Sequence, residues 1–402
     1  MKLHARQRGY ILVLASFLLA GILLGSLSVV RLAQQSQDQL HVQHVADHAA
    51  QALATIAARD LNFKAITNRA MLANEIAIGQ LLGINSWFMM TQQATQNIAL
   101  LTSWVPYLNA ITKAMNQVVK QAEKTLSTGI EAAVLAQQTM LKGLEAAQVA
   151  FHQASWTSSL FTVTDLVEAS HPDYEVALLN HQTLLDLNHL WLKFQTRSSN
   201  KKQQAQYADL ASESRDPFSY KRTYRWFKAF NLRVNKGGGS EISERSGQVV
   251  WQAIDTMSIH VNTLFGVDEV RFAGGAYYLR QRLPLRNKNN DYGQSYRVNP
   301  KASRNAARRA RQIRHRHRVP YQYLLNDAEK YPSVTLVVRR PETDEQPMIW
   351  GVGRAKITFK RDNSYWPRGD LMRERKNLFN ALWRVQPSSV NELERQLIGA
   401  QV

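Results

Sequence analysis

Cysteine is absent from all 402 residues of the chain. This absence excludes disulfides, thiolate metal ligands and a cysteine nucleophile. A large region outside the cytoplasm without cysteine fits a bacterial envelope, where oxidation would act on stray thiols. Any metal or nucleophile would have to involve other side chains.

Catalytic sequence motifs are also lacking. The chain has no Gly-x-Ser-x-Gly elbow, His-Glu-x-x-His pair, phosphate-binding loop, dinucleotide fingerprint or EF-hand loop. Asp255 and His260 are too few for a triad, and Gly351 and Gly353 are only two glycines within a strand. We therefore predict that the protein is not an enzyme and has no catalytic residue and no cofactor.

Acidic residues are scarce in the second half of the chain. Residues 201–402 contain 37 Lys and Arg against 19 Asp and Glu, whereas residues 1–200 contain 13 against 12. Nearly all of the net charge of +19 therefore lies after residue 200. Outside the cytoplasm such a basic region would meet anionic lipid headgroups, lipopolysaccharide, acidic polymer or released DNA, and charge alone does not identify which.

Residues 10–30 form an apolar run, called the apolar run below, without a single charged side chain. Lys2, Arg6 and Arg8 precede it, and Arg31 follows it. At about 1.5 Å per residue, a helix of this length can cross a hydrocarbon core of about 30 Å. We predict a retained anchor with a cytoplasmic N-terminus, because short basic segments resist translocation.

A cleaved signal peptide and a buried core helix are the alternatives for the apolar run. A signal peptide has a shorter apolar core and a small-residue cleavage site, and residues 26–28 make a poor one. Gly21 and Gly25 have small-x-x-x-small spacing, and Ser28 lies near that spacing, three residues after Gly25. We predict that they form a packing face for other membrane helices, although small residues are also tolerated in any bilayer helix.

Beyond the anchor, residue patterns predict an α+β protein. Apolar residues at three- and four-residue steps predict helices at 60–83, 85–103, 108–152 and 173–196. Alternating β-branched and aromatic residues predict strands at 224–234, 248–254, 269–279, 333–339 and 348–359. Residues 235–240 are predicted to be a flexible loop, and residues 341–347 a hairpin connection.

These patterns predict four parts of the chain. They are a cytoplasmic basic tip (1–9), a transmembrane helix (10–30), a predominantly helical extracytoplasmic region that continues the anchor as a stalk (31–197), and a basic α+β head (198–402).

Three histidines form a weak candidate for a metal site. His41, His44 and His48 lie at i, i+3 and i+7, on one face of a helix, with Asp47 beside them. Such spacing can bind zinc or copper through imidazole nitrogens. The alternative is a polar stripe on a helix near the membrane surface. Because nearby sequence fixes no fourth ligand, we predict no metal site.

The segment 297–318 is strongly basic and contains no acidic residue. Alanines at helical spacing within it predict a short amphipathic helix. One interpretation is a site for an anionic polymer or lipid headgroups, with Tyr296 and Tyr321 available for stacking. Its candidate contacts are Arg304, Arg308, Arg309, Arg311, Arg314, Arg316 and Arg318.

The alternative for this segment is a solvated, partly disordered insertion between two core strands. Since the anchor places the segment outside the cytoplasm, cytoplasmic nucleic acid is not an expected partner.

Several short stretches of the chain resemble the tight-adherence (Tad/Flp) pilus-assembly proteins of the TadE/TadG type. The resemblance includes the basic start that ends in Gly9 before the apolar run, the stretch 47–50 and the segment 251–260. Its most specific part is an Asn-Arg-Ala-Met-x-Ala-Asn motif, formed by Asn68, Arg69, Ala70, Met71, Ala73 and Asn74.

Membership in this family would imply a single-pass bacterial inner-membrane protein whose larger part is periplasmic or surface-facing. It would assemble or prime an adhesive pilus together with other pilin-like proteins, as an assembly protein or a minor pilin. Leu14 occupies the position where major pilins carry Glu, which argues against processing after Gly9. An Asp-x-Ser-x-Ser motif is also lacking, so the adhesion domain of some TadG proteins is not implied.

Overall fold

The computed structural model of the chain describes residues 8–400 except 178–179, 199, 265, 286–292, 344–345, 363, 366, 371 and 373. The described residues form an α+β protein, as predicted. The helices are α1 (Arg8–Leu101), α2 (Pro106–Ser170), α3 (His181–Asn188), α4 (Lys201–Glu213), α5 (Pro217–Tyr220), α6 (Gly293–Val298), α7 (Pro300–Arg308) and α8 (Glu392–Gly399). A π-helical turn, His189–Lys193, follows α3. The strands are β1 (Glu175–Val176), β2 (Gln195–Arg197), β3 (Tyr224–Ala229), β4 (Leu232–Arg245), β5 (Gln248–Thr263), β6 (Gly266–Leu279), β7 (Arg311–Ile313), β8 (Tyr323–Leu325), β9 (Ser333–Arg340), β10 (Ile349–Phe359) and β11 (Trp383–Ser388).

Helix α1 continues without a break from the apolar run into the folded part of the chain. The interruption predicted near residues 83–85 is wrong. Gly83 packs against the side chains of Arg222 and Phe218, and Asn85 is fully buried. A glycine costs a helix interior about 1 kcal/mol relative to alanine, so we infer that burial of this helix face offsets the cost.

Helix α2 returns antiparallel along α1. It begins at Pro106, where the missing backbone N–H costs nothing in the first helical turn. Beyond its last residue, the ring of His171 lies 5.0 Å from that of His41 on α1. The break predicted between residues 103 and 108 is confirmed, but α2 continues beyond the predicted helix 108–152 to Ser170. The helix predicted at 173–196 is wrong in part, because this range also contains β1 and β2, which pair with the distant strands β9 and β8.

The strands form two larger sheets and one small one. The proximal sheet has the order β1-β9-β10-β11 and is antiparallel, and the distal sheet has the order β3-β4-β5-β6-β7. In the distal sheet β7 is parallel to β6 and the other pairs are antiparallel. Strands β2 and β8 form the small sheet. The strands predicted at 248–254, 269–279 and 333–339 lie within β5, β6 and β9, and the one predicted at 348–359 matches β10 to within one residue. The strand predicted at 224–234 is wrong in part, because it covers β3, a turn and the start of β4. The antiparallel pairing of β9 with β10 confirms a hairpin, although residues 344–345 of its connection lie outside the described residues.

The predicted flexible loop at residues 235–240 is wrong, because these residues lie inside β4 and pair with β5. A Cβ at Gly238 would collide with the carboxylate of Asp255 and the amine of Lys236. The glycine therefore makes room for a buried ion pair.

Both larger sheets pack against α1. In the proximal sheet, Gln43 Nε2 donates to the carbonyl of Val352 over 2.8 Å. In the distal sheet, the backbone N–H of Gly274 donates to Gln93 Oε1 over 2.8 Å. The expected stalk separate from a basic head is not confirmed, since one face of α1 is buried from Val42 onwards. Strands formed after residue 332 cover its nearer part, and strands of the distal sheet cover its farther part.

The hydrophobic core has two main parts along α1. Leu53 of α1 packs with Trp191 and Leu336 under the proximal sheet. Met71 and Ile78 of α1 pack with Trp251 under the distal sheet. The proximal sheet is the one nearer the apolar run, and the distal sheet covers the far end of α1.

The apolar run is exposed along its whole length. Among the described residues, α1 is the one helix long and apolar enough to cross a membrane, with a mean hydropathy of 2.4 over its most apolar window. None of that window is buried against the rest of the protein. A long apolar helix of this kind is compatible with a membrane anchor or a signal sequence.

Candidate functional site

No described part of the protein packs against the two glycines of the apolar run. A Cβ added at Gly21 or Gly25 would meet no atom within 4 Å. The hydroxyl of Ser28 donates to the carbonyl of Leu24 over 2.9 Å, and Ser26 donates to Ile22 over 2.9 Å. Each of these hydroxyls is therefore satisfied within the helix, as a lipid environment requires.

The Asn-Arg-Ala-Met motif divides between a buried and an exposed face of α1. Asn68 and Met71 are fully buried, whereas Arg69 and Ala73 are exposed. Asn68 Nδ2 donates to the carbonyls of Tyr323 (2.9 Å) and Leu378 (2.8 Å). The remaining motif residues, Ala70 and Asn74, are half-buried and joined by a 2.7 Å hydrogen bond from Asn74 Nδ2 to the Ala70 carbonyl. Through Asn68, the buried side of the motif thus joins α1 to β8 and to the segment before β11.

Further buried polar groups follow the same side of α1. Lys64 Nζ lies 2.6 Å from Asp60 Oδ2, 2.7 Å from Gln195 Oε1 and 2.7 Å from His152 Nδ1. Burial lowers the pKa of Lys64 to about 8, against the opposing effect of Asp60. Burial raises the pKa of Asp60, but its hydrogen bond with His152 and the charge of Lys64 outweigh this and leave it lowered.

Glu75 forms the next group along α1. Its carboxylate accepts a 2.7 Å hydrogen bond from Trp251 Nε1 and lies 2.8 Å from His317 Nε2. The hydroxyl of Tyr207 donates to it over 3.3 Å. Burial raises the pKa of Tyr207 well above its usual value, and the charge of Glu75 acts in the same direction. This group joins α1 to α4, to β5 and to the end of the basic segment.

Asp255 is the centre of a third buried group. Its carboxylate accepts hydrogen bonds from Arg222 Nη2 at 2.9 Å, from Lys236 and from Ser86 of α1. Burial raises the pKa of Asp255, but the charges of Arg222 and Lys236 outweigh it, so the pKa is lowered. Burial likewise lowers the pKa of Lys236.

These three groups, called the buried polar row, stabilise the fold and offer no open reaction centre. Their carboxylates are paired with donors from distant parts of the chain, and none of the three is exposed to solvent. Sequence reasoning missed them. The one available signal was the i, i+4 pair of Asp60 and Lys64 within an otherwise apolar helix face.

The three candidate metal-binding histidines, His41, His44 and His48, are exposed on α1. The ring of His41 lies against His171 and Tyr174, with centroids 5.0 Å and 5.7 Å away. Within the described ranges, no group of three His, Asp or Glu side chains could hold a metal ion.

The basic segment is folded against the distal sheet. The predicted short helix is present as α7, and β7 extends the sheet. Ala302, Ala306, Ala310 and Ile313 are buried beneath them. The alternative of a disordered insertion is therefore wrong for residues 293–318. All seven candidate arginines are exposed.

Three of these arginines have partners. Arg311 pairs with Glu123 and Arg318 pairs with Glu145, each at 2.8 Å, and Arg304 Nη2 donates to the Tyr296 hydroxyl over 3.0 Å. Arg304 lies over the ring of Tyr296 and Arg318 over the ring of Tyr321, so each ring already has a cation on one face. In the part of the chain that the structure describes, no ion pair involves the other four, Arg308, Arg309, Arg314 and Arg316.

A cavity of about 280 Å³ lies between α2 and the end of the basic segment. Lys142 and Arg316 contribute cations to its lining, whereas Arg318 is paired there with Glu145 at 2.8 Å. Gln138 and Gln248 also line it, and their buried Nε2 and Oε1 atoms have no hydrogen-bond partner among the described residues. The cavity therefore offers positive charge together with an unused donor and an unused acceptor.

No known protein family, curated protein or solved structure shows a significant match to this chain. The candidate sites are accordingly interpreted from their own geometry and chemistry.

Proposed function

We propose that the protein is a non-enzymatic, membrane-anchored assembly protein or minor-pilin-like protein of a Tad/Flp-type adhesive pilus. The observation that supports this best is the continuity of α1, whose first part is an exposed apolar run and whose remainder is the central helix of the fold. A helix shared in this way couples contacts made in the bilayer directly to the folded part.

In this proposal the apolar run lies in the bacterial inner membrane, with its N-terminus in the cytoplasm and the larger part of the chain periplasmic or surface-facing. Gly21, Gly25 and Ser28 contact the apolar helices of other pilin-like proteins. Close packing of small residues drives such contacts, because lipid tails are as apolar as the helices.

Replacing Gly21 and Gly25 by Leu tests this proposal. Because nothing packs against either position within the protein, we expect normal insertion and folding but loss of the larger complexes on blue-native gels of solubilised membranes. Ser16→Leu with Ala20→Leu is the matched control, since it fills a small pair about 140° around the same helix. Complexes unaffected by the Gly21 and Gly25 changes would contradict the proposal.

A second candidate function is binding of an acidic polymer at the basic segment. It is favoured by the four exposed arginines without ion pairs and by the cavity that contains Arg316. Replacing Arg308, Arg309, Arg314 and Arg316 by Gln should abolish salt-sensitive binding to polygalacturonate, used as the probe. Binding that persists in this variant would exclude the site.

A further inference from the structure

Two neighbouring hairpin turns of the distal sheet expose large apolar side chains to solvent. Phe230, between β3 and β4, is 100% exposed, and Leu264, between β5 and β6, is 101% exposed. Trp226 and Phe227 of β3 are more than half exposed. These four residues are called the apolar tip.

The backbone at Phe230 adds a second unfavourable feature. Its φ of +45° lies in the left-handed region, which hairpin turns usually fill with Gly, Asn or Asp. A bulky aromatic residue here is strained as well as fully hydrated. Backbone strain and an exposed aromatic side chain both destabilise the folded state, so their combination at Phe230 indicates a role other than folding.

The two turns lie side by side at one end of the sheet. Leu232 at the start of β4 pairs with Val261 near the end of β5. The backbone N–H of Asn262 donates to the carbonyl of Asn231 over 2.8 Å. Phe230 and Leu264 therefore extend from the same edge of the molecule, and β3 beside them is an edge strand.

The charge on the β3–β4 side of the apolar tip has one sign. This hairpin carries Arg225, Lys228 and Arg233, and the sequence has no acidic residue between Asp216 and Glu241. On the β5–β6 side, the exposed carboxylate of Asp268 is paired with Lys301 at 2.6 Å. Tryptophan and phenylalanine flanked by Lys and Arg, without acids, are the composition that binds at the interface of an anionic bilayer. A protein partner of ordinary polarity does not require this combination.

The apolar tip lies at the end of α1 that is far from the apolar run. Contacts of β6 with α1 move steadily in that direction, from Gly275 beside Ser86 to Phe272, whose carbonyl accepts from Asn97. The turn that contains Leu264 continues the same way. Along α1, Leu101 is about 105 Å from Val30, so one membrane cannot hold both the apolar run and the tip while α1 stays straight.

We propose that the apolar tip inserts into the interface of an anionic lipid bilayer, and that this bilayer is a second one, facing the membrane that holds the apolar run. Lipid binding by the apolar tip is inferred from the exposure and charge of the tip and does not depend on the anchor. Its assignment to a second bilayer rests on the anchor of the proposed function.

The experiment uses the full chain in phosphatidylcholine nanodiscs, mixed with vesicles that contain about 30% phosphatidylglycerol. We expect the protein-loaded nanodiscs to float with these vesicles and empty nanodiscs to remain behind. Combined Trp226→Ser, Phe230→Ser and Leu264→Ser changes should weaken the flotation at least about tenfold. The matched control, Trp156→Ser, Phe161→Ser and Leu166→Ser, removes the same three residue types from exposed sites on α2 and should float as the unmodified protein does.

A single change separates lipid binding from folding. Phe230→Asn relieves the left-handed strain, so its thermal unfolding temperature should be unchanged or higher while vesicle binding falls. Arg225→Gln with Lys228→Gln should weaken binding mainly at low salt.

Three outcomes would overturn the proposal. The triple variant could bind vesicles as the unmodified protein does, or binding could be equal for purely zwitterionic vesicles. Alternatively, loaded nanodiscs could associate with each other through the tip without vesicles, which would identify a second copy of the chain as the occupant. None of these readouts depends on the pilus complexes, so failure here is distinguishable from failure of the proposed function.

Discussion

At the scale of single residues, the buried carboxylates of Asp60, Glu75 and Asp255 join α1 to parts of the chain that are remote in sequence. Each loses its hydration on folding and recovers the cost only through its partners. The partner of Asp60 in α2 is His152, and that of Glu75 in the basic segment is His317. Removing one member of such a group leaves the others buried and unpaired.

Asp255→Asn should therefore destabilise the protein strongly. Arg222 and Lys236 would remain buried with no carboxylate between them, which costs about 3 to 5 kcal/mol of unfolding free energy. Asp268→Asn removes a carboxylate from an ion pair with Lys301 in which both side chains are more than half exposed, and exposed pairs contribute little. Urea unfolding of both variants in detergent checks this, and similar losses in the two would contradict it.

Lys64 should make stability depend on alkaline pH. Its pKa is lowered from 10.5 to about 8 on folding, so between these values the unfolded chain binds more protons than the folded one. Stability from this group therefore rises as pH increases from about 8 to 10.5 and is flat below pH 8. Between about pH 7.5 and about pH 10, the urea concentration at the midpoint of unfolding should rise in the unmodified protein relative to its change in Lys64→Met. The exposed Lys142→Met should behave like the unmodified protein.

At the scale of elements, local residue patterns predicted most helices and strands correctly. They failed where a contact with a residue remote in sequence determines the conformation. The strands β5, β6, β9 and β10 follow from β-branched and aromatic alternation. The glycines of β4 indicated a loop, yet Gly238 is there because the carboxylate of Asp255 occupies the space of a side chain. Similarly, Gly83 indicated a helix end, but Arg222 packs against it.

The candidate sites divide in the same way. The apolar run and the alanine face of α7 were predictable, since each is a local pattern. The buried polar row was not, because His152 and His317 reach α1 from 92 and 242 residues away in sequence. Nor could the sequence predict that Tyr296 and Tyr321 lie under arginines.

The contact between β10 and α1 should depend on a small residue. A Cβ at Gly353 would run into the backbone of Ala46 and Asp47, so Gly353→Val must push the proximal sheet away from the helix. We expect a loss of about 1 to 3 kcal/mol or more, together with faster hydrogen exchange in β9 and β10. Gly369→Val, at a position with no atom within 4 Å, should show neither effect. Unchanged exchange in the Gly353 variant would contradict this packing.

At the scale of the whole molecule, α1 is one continuous helix that includes both the apolar run and the central helix of the fold. Gln35 is exposed and lies between the apolar run and the first buried residue, Val42. Proline in a helix interior removes a backbone hydrogen bond and clashes with the preceding turn. A proline at this position should uncouple the two parts without disturbing either one.

Because the chain contains no cysteine, this uncoupling can be measured between spin labels at Arg31→Cys and Arg59→Cys. We expect one narrow distance near about 42 Å in the unmodified helix and a broad distribution after Gln35→Pro. Gln35→Ala should keep the narrow distance, and the thermal unfolding temperature should be the same in all three proteins. A broad distribution before the proline is introduced would refute the rigid helix.

Because the chain is synthesised from its N-terminus, α1 is made long before the residues that pair with its buried polar groups. Helix α1 leaves the ribosome first, but the residues that cover it extend to β11, nearly 290 residues later. At about 5 to 20 residues per second, this interval lasts about 15 to 60 s. Glu75 lacks Trp251 and His317 during the earlier part of this interval, and the proximal half of α1 lacks β9, β10 and β11 until its end. The newborn chain is thus exposed to aggregation and proteolysis until synthesis is nearly finished, and truncation before β9 would leave the proximal half of α1 permanently uncovered.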